Sequence, residues 1–193
     1  KKPRITILYM LIGQVICLLA AQMNYLLRDL FYGAEYNTYA VTVTVTPLVE
    51  EFLKALPIIY FGFVISHKKE DLMNVAMALG IGFAILENFY ILVVDTEAVT
   101  IGWALMRGFS SALLHGICTS LVGYGVSYVK TRKKLFYTGT FGLLTMAIIL
   151  HGLFNAFIQS QYAYIGVILP IAIYIPFVIA PALKKKKLLS KVK

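Results

Sequence analysis

The sequence has 193 residues, 60% hydrophobic and 14% charged, with a formal net charge of +9. Soluble domains are typically about 45–50% apolar and about 25% charged, so no water-facing shell could cover this much apolar surface. The balance excludes a cytosolic enzyme, a disordered chain and, despite the positive charge, a nucleic-acid-binding module; it points to an integral membrane protein.

A membrane-spanning helix takes about 20 apolar residues, and six such runs follow one another. The first, 5–27, is preceded by Lys1, Lys2 and Arg4. It exceeds the roughly 7–15 residues of a signal-peptide core and no small-residue cleavage site follows it, so it is retained as a span. The second, 41–66, contains an alternating Val41–Thr46 stretch that reads as extended, followed by Pro47, which with Thr46 as N-cap reads as a helix start. The third to sixth runs are 72–94, 101–129, 135–159 and 162–183, with basic clusters at Lys68–Lys69, Lys130–Lys134 and Lys184–Lys193. The expected fold is all-α: one domain over 1–193, a six-transmembrane-helix bundle. All four basic clusters fall on one side of that bundle. The other side carries Asp29, Glu35, Asp95 and Glu97 against Arg28 alone, so the positive-inside rule places both termini in the cytoplasm. Cys17 and Cys118 both lie inside apolar runs and imply no disulfide framework.

Several polar side chains remain inside these runs: Glu50, Glu51 and Lys54 in the second, Glu87 in the third, Arg107 and His115 in the fourth, His151 in the fifth. One charge at the centre of a spanning helix costs about 2.5–3.5 kcal/mol on insertion scales, so a chain that keeps them has a use for them. All sit near the midplane or in the acidic half, as one shared site would require. Glu50 and Lys54, four apart, share a helix face, with Glu51 about 100° away. His115 is followed by Thr119 and His151 by Asn155, each one turn on, and each His precedes a glycine that permits close helix approach. Arg107 reads as a snorkelling anchor and Cys118 as a buried apolar residue.

Two imidazoles, several carboxylates and an amide converging from separate helices suggest hydrolysis. With a metal, plausibly zinc, the ligands would be Glu87, His115 and His151, and one glutamate of the Glu50–Glu51 pair would deprotonate the attacking water. Without one, a glutamate activates water directly while His151 and Asn155 donate to the developing oxyanion. Spacing leaves both open, and no HExxH motif occurs. A small-solute transporter or a membrane substrate-binding subunit is the competing reading, since intramembrane acids also mark ion paths.

Glu50-Glu51-x-x-Lys54, Glu87-Asn88, His115 with Thr119, and His151-x-x-x-Asn155, in this order on successive runs, resemble the PrsW family of intramembrane proteases, relatives of the CAAX-prenyl endopeptidases. The resemblance covers about 47–157; Lys54, where the CAAX-type relatives more often carry an Arg one residue further on, favours the PrsW branch. It implies an endopeptidase in a bacterial plasma membrane that cuts a membrane-anchored protein, of the anti-sigma-factor kind, near its extracytoplasmic side. Glu50 would be the base, with Glu51, Glu87, His115, His151 and Asn155 completing the site.

Overall fold

A computed structural model describes residues 2–32, 37–94 and 100–190, with side chains over 3–30, 37–94 and 100–176. Glu35, Asp95, Glu97, Lys1, Lys191 and Lys193, and the side chains of Lys184–Lys187, which entered the orientation argument, lie outside the described residues.

Six helices follow in chain order: α1 Lys2–Tyr32, α2 Thr38–Tyr60, α3 Lys69–Val94, α4 Ile101–Val126, α5 Lys133–Ile158 and α6 Ala163–Ser190. They coincide with the six predicted runs to within a few residues, and no strand occurs among the described residues. α2 ends in a π-helical turn, Phe61–Ile65, before the chain extends at Ser66. Four of these segments, Pro3–Leu30, Lys69–Val94, Ile101–Val126 and Lys133–Ile158, are long and apolar enough to cross a membrane. α2 does not qualify on apolarity because Glu50, Glu51 and Lys54 lie in its middle, and the described apolar part of α6, Ala163–Pro176, is shorter.

The start of α2 differs from expectation. Asn37, not Thr46, is the N-cap, its Oδ1 accepting from the Ala40 N–H at 3.2 Å. Val41–Thr46 is helical, not extended. β-Branched residues with hydroxyls resist this in water, but Thr42 and Thr44 donate back to the carbonyls of Thr38 and Ala40 at 2.8 and 2.7 Å, which satisfies the hydroxyls within the helix. Pro47 therefore sits in the helix interior and has no N–H to offer the Val43 carbonyl. α5 approaches at that point: a Cβ on Gly152 would stand 2.7 Å from the Val43 oxygen.

Polarity is inverted relative to a soluble protein. Leu30, Leu105, Phe141, Phe109 and Phe89 are exposed, whereas Glu51, Lys54, His115 and His151 are at most 1% exposed. Apolar side chains face outward and charged ones inward, as in a protein solvated by lipid. The helices alternate in direction, so α1, α3 and α5 finish at the end of the bundle where α2, α4 and α6 begin, called here the distal end. Contacts between finishing and starting segments show this, among them Asn155 with Thr42, Arg107 with Asn88, and Ser110 with Val167. In the other half, α1 and α3 touch backbone to backbone. A Cβ on Gly13 would collide with the Leu79 carbonyl, and one on Gly82 with that of Met10. Beneath this crossing Tyr9, Ile58, Phe61, Leu72, Val75, Leu79, Val122 and Val126 form the largest apolar cluster.

Candidate active site

The buried polar groups of four helices meet in one continuous network. On α2, Lys54 Nζ donates to Glu51 Oε1 at 2.6 Å. The ammonium thus serves the residue three positions back rather than Glu50, four back, although both neighbour it on the helix. The choice follows from what lies beyond. Lys54 Nζ also stands 2.7 Å from His115 Nδ1 on α4 and 4.5 Å over the Phe83 ring of α3. His115 Nε2 is 3.0 Å from Glu87 Oε2 on α3, which also accepts from Ser111 Oγ at 3.3 Å. In the other direction Glu51 Oε1 lies 2.9 Å from His151 Nδ1 on α5. His151 Nε2 in turn faces Glu50 Oε2 at 3.9 Å. The two imidazoles touch edge to face, with ring centroids 4.7 Å apart.

Proton positions follow from the donors. An ammonium has only hydrogens to give, so His115 Nδ1 accepts and its Nε2–H donates to Glu87. A carboxylate oxygen accepts, so His151 Nδ1–H donates to Glu51 and Nε2 keeps a lone pair. That lone pair points at Glu50 Oε2, a buried oxygen with no hydrogen-bond partner; Glu51 Oε2 is likewise buried and unpartnered. Two acceptors facing each other across 3.9 Å need something electropositive between them: a proton on one of the two, a water donating both ways, or a cation.

The donor set fits a metal. Donor atoms of Glu50, His115 and His151 lie within 4.8 Å of one another, two imidazoles and one carboxylate, as zinc hydrolases use; to ligate, His115 would have to give up Lys54 or Glu87, its two present partners. Glu51, receiving the Nδ1–H of His151, is the carboxylate that orients a ligating imidazole. The sequence-level set had Glu87 in place of Glu50; Glu87 stands at hydrogen-bond distance from His115 on the far side of the same cluster.

Of the six residues expected to form the site, Glu50, Glu51, Glu87, His115 and His151 thus come together. Asn155 sits one turn from His151 and donates through Nδ2 to the Thr42 carbonyl at 3.0 Å, joining α5 to α2. Thr119 donates to the His115 carbonyl at 2.8 Å. Cys118 directs its thiol to the Ala147 carbonyl at 3.6 Å, in a packing role. Arg107 was expected to snorkel; instead it donates to Asn88 Oδ1 at 2.7 Å and ties α4 to α3.

A cavity of about 650 Å³ opens onto the network between the distal halves of α1, α2 and α3, with Glu50 and Glu87 in its wall. Residues 1–181 match the family described as PrsW family intramembrane metalloprotease.

The chain belongs to the PrsW family. No curated protein and no solved structure matches it. PrsW membership makes the chain a membrane-embedded peptide hydrolase acting on membrane proteins within the bilayer, which removes the transporter reading. Amide hydrolysis needs a base for water and a group to take up charge on the carbonyl oxygen, and the network holds both kinds of group, carboxylates and N–H donors. Lys54, read from the sequence as a neighbour of Glu50, instead joins Glu51 to His115. One feature was not read from the sequence: α1 supplies part of the cavity wall through Cys17, Asn24, Tyr25 and Arg28. The usable signal for α1 was Asn24, which with Gln14 and Gln22 is one of three amides in an apolar run.

Proposed function

We propose that the protein is an endopeptidase that hydrolyses a peptide bond of a membrane-anchored protein close to the extracytoplasmic boundary of the bilayer. In this reading it forms one domain over 1–193, with all six helices crossing a bacterial plasma membrane and both termini in the cytoplasm. The charge asymmetry between the two sets of loops supports the orientation. The observation that carries the reading is the unpartnered Glu50 Oε2, which faces the lone pair of His151 at the wall of a cavity between the distal halves of α1, α2 and α3.

Glu50 is the base. Its Oε2 takes a proton from a water as the water oxygen bonds to the scissile carbonyl carbon, and returns it to the leaving nitrogen as the C–N bond breaks. His151, held by Glu51, orients that water through Nε2. The His115 Nε2–H is the nearest charge-stabilising donor for the oxyanion, and Lys54 fixes its tautomer from behind. A divalent metal held by Glu50, His115 and His151 would supply Lewis-acid polarisation instead, and Glu50 would then be a ligand, leaving Glu51, whose Oε2 is unpartnered, as the carboxylate to take the proton. The substrate class that the family likeness suggests is a single-span regulator of the anti-sigma-factor kind.

The test is cleavage of a single-span reporter in proteoliposomes. Wild type produces a fragment whose new terminus maps to the extracytoplasmic boundary; Glu50→Gln inserts normally and produces none. Cleavage by Glu50→Gln at the wild-type rate refutes the assignment of the base.

A further inference from the structure

A separate cavity of about 260 Å³ lies at the distal end between α3, α4 and the end of α5. Asn88 of α3 and Trp103 and Arg107 of α4 stand in its wall. The Arg107 guanidinium gives one hydrogen to Asn88 Oδ1 at 2.7 Å. Among the described residues it makes no ion pair and no other hydrogen bond, so most of its five N–H donors are unspent. The Trp103 indole N–H has no partner among them either. Gly108, beside Arg107, leaves a notch: a Cβ there would meet nothing within 4 Å. The remaining wall is mainly apolar, from Ile91, Leu92 and Ile158. Along the outer face of α4, Ile101, Leu105 and Phe109 are exposed.

Depth decides what can fill the notch. α3 ends at Val94 and α4 starts at Ile101, so Asn88 and Arg107 both lie about 9 Å inside the distal helix ends. Each helix has 26 residues, about 39 Å of length against about 30 Å of hydrocarbon. Centred on that core, each projects about 4–5 Å beyond it, which puts the Arg107 Cα a similar distance below the hydrocarbon surface. Side chains on a helix lean toward its N-terminus, here the distal side, so the guanidinium rises to the level of the headgroups. We propose that the notch holds a phospholipid of the distal leaflet, with its phosphodiester on the Arg107 guanidinium and an acyl chain along Leu105 and Phe109. The planar fork of an arginine meets two phosphate oxygens at once, and phosphate is the anion that a bilayer itself supplies at this level. Trp103 adds a ring of the kind enriched at membrane interfaces, with a donor still to spend. The site requires no catalysis and stands apart from the protease reading.

Photolabelling of the full chain tests the site. The protein is purified in a neutral detergent and mixed with phosphatidylglycerol that carries a diazirine near the top of one acyl chain. After illumination, labelled peptides are mapped by mass spectrometry. Label concentrates at 91–92 on α3 and 103–109 on α4. Unmodified phosphatidylglycerol competes it away, whereas diacylglycerol with the same chains and inorganic phosphate do not. Arg107→Gln weakens labelling at least about tenfold. Gly108→Leu fills the notch, leaves the guanidinium in place and has the same effect; should Arg107→Gln fail to fold, this variant carries the test. Asn88→Ala deletes the protein's own hydrogen bond to Arg107 and keeps the label, which separates lipid binding from a clip between helices. Label spread evenly around the bundle, equal labelling of Gly108→Leu and wild type, or competition by diacylglycerol as strong as by phosphatidylglycerol overturns the proposal. Competition by inorganic phosphate alone also overturns it, because the pocket is then a site for a free anion.

Discussion

Lys54 offers the most direct check on the electrostatics of the site. Its ammonium is fully buried and touches Glu51 at 2.6 Å and His115 at 2.7 Å. Lys54→Met keeps the volume of the stem and removes the charge, leaving Glu51 with only His151 as partner. Breaking a buried pair by removing one member typically costs about 3–5 kcal/mol, because the remaining charge stays buried. For a chain of this length that corresponds to a fall in melting temperature of about 6–20 °C, at about 2–4 °C per kcal/mol. Removing both charges tests the cause. Glu51→Leu with Lys54→Met removes both members of the hydrogen-bonded pair, so the double variant should recover at least about half of the loss. The assay is thermal unfolding in detergent, read by intrinsic fluorescence and by retention of the monodisperse peak. A Lys54→Met protein melting within about a degree of wild type would refute the buried pair, as would a double variant whose loss equals the sum of the single losses.

Four further outcomes follow from the same geometry. Glu50→Gln lowers reporter cleavage by at least about 10²–10⁴-fold, the usual contribution of a general base, with unchanged melting. If a metal is used, dialysis against a strong chelator abolishes cleavage, zinc restores it, and His151→Ala reduces the metal content of the purified protein as measured by mass spectrometry. Asn155→Ala removes the donor to the Thr42 carbonyl and costs about 1 kcal/mol of stability, since that oxygen can still accept within α2. Gly82→Val forces α1 off α3 at the Met10 carbonyl, and the variant either fails to accumulate in the membrane or melts far below wild type.

The helices were legible because each apolar run has the length a bilayer demands, and the site because charges inside such runs are too costly to be incidental. Glu50, Glu51, Glu87, His115 and His151 were all recoverable in this way. What sequence spacing could not carry was rotation about the helix axis. It placed Lys54 on the face of Glu50 with Glu51 turned away, whereas the ammonium pairs with Glu51 and reaches His115. The start of α2 was misplaced because Thr46-Pro47 has the local form of a helix N-terminus. The true cap, Asn37, precedes a threonine-rich turn whose hydroxyls bond back into the helix. The cavity was invisible because it depends on where α1 leaves α3, and that divergence is set by Gly13 and Gly82, which no spacing in the sequence singled out.

The wiring of Glu51 also bears on how the chain is made. Its two partners are separated from it by very different stretches of sequence: Lys54 by 3 residues and His151 by 100. During synthesis α2 emerges with Lys54 as its only companion for that carboxylate. His115, 61 residues beyond Lys54, and then His151 arrive when α4 and α5 are threaded. Until then α2 is the helix least able to rest in lipid by itself, so it must wait beside the insertion machinery or against α1. The buried polar cluster is complete only once α5 has followed α4 into the bundle.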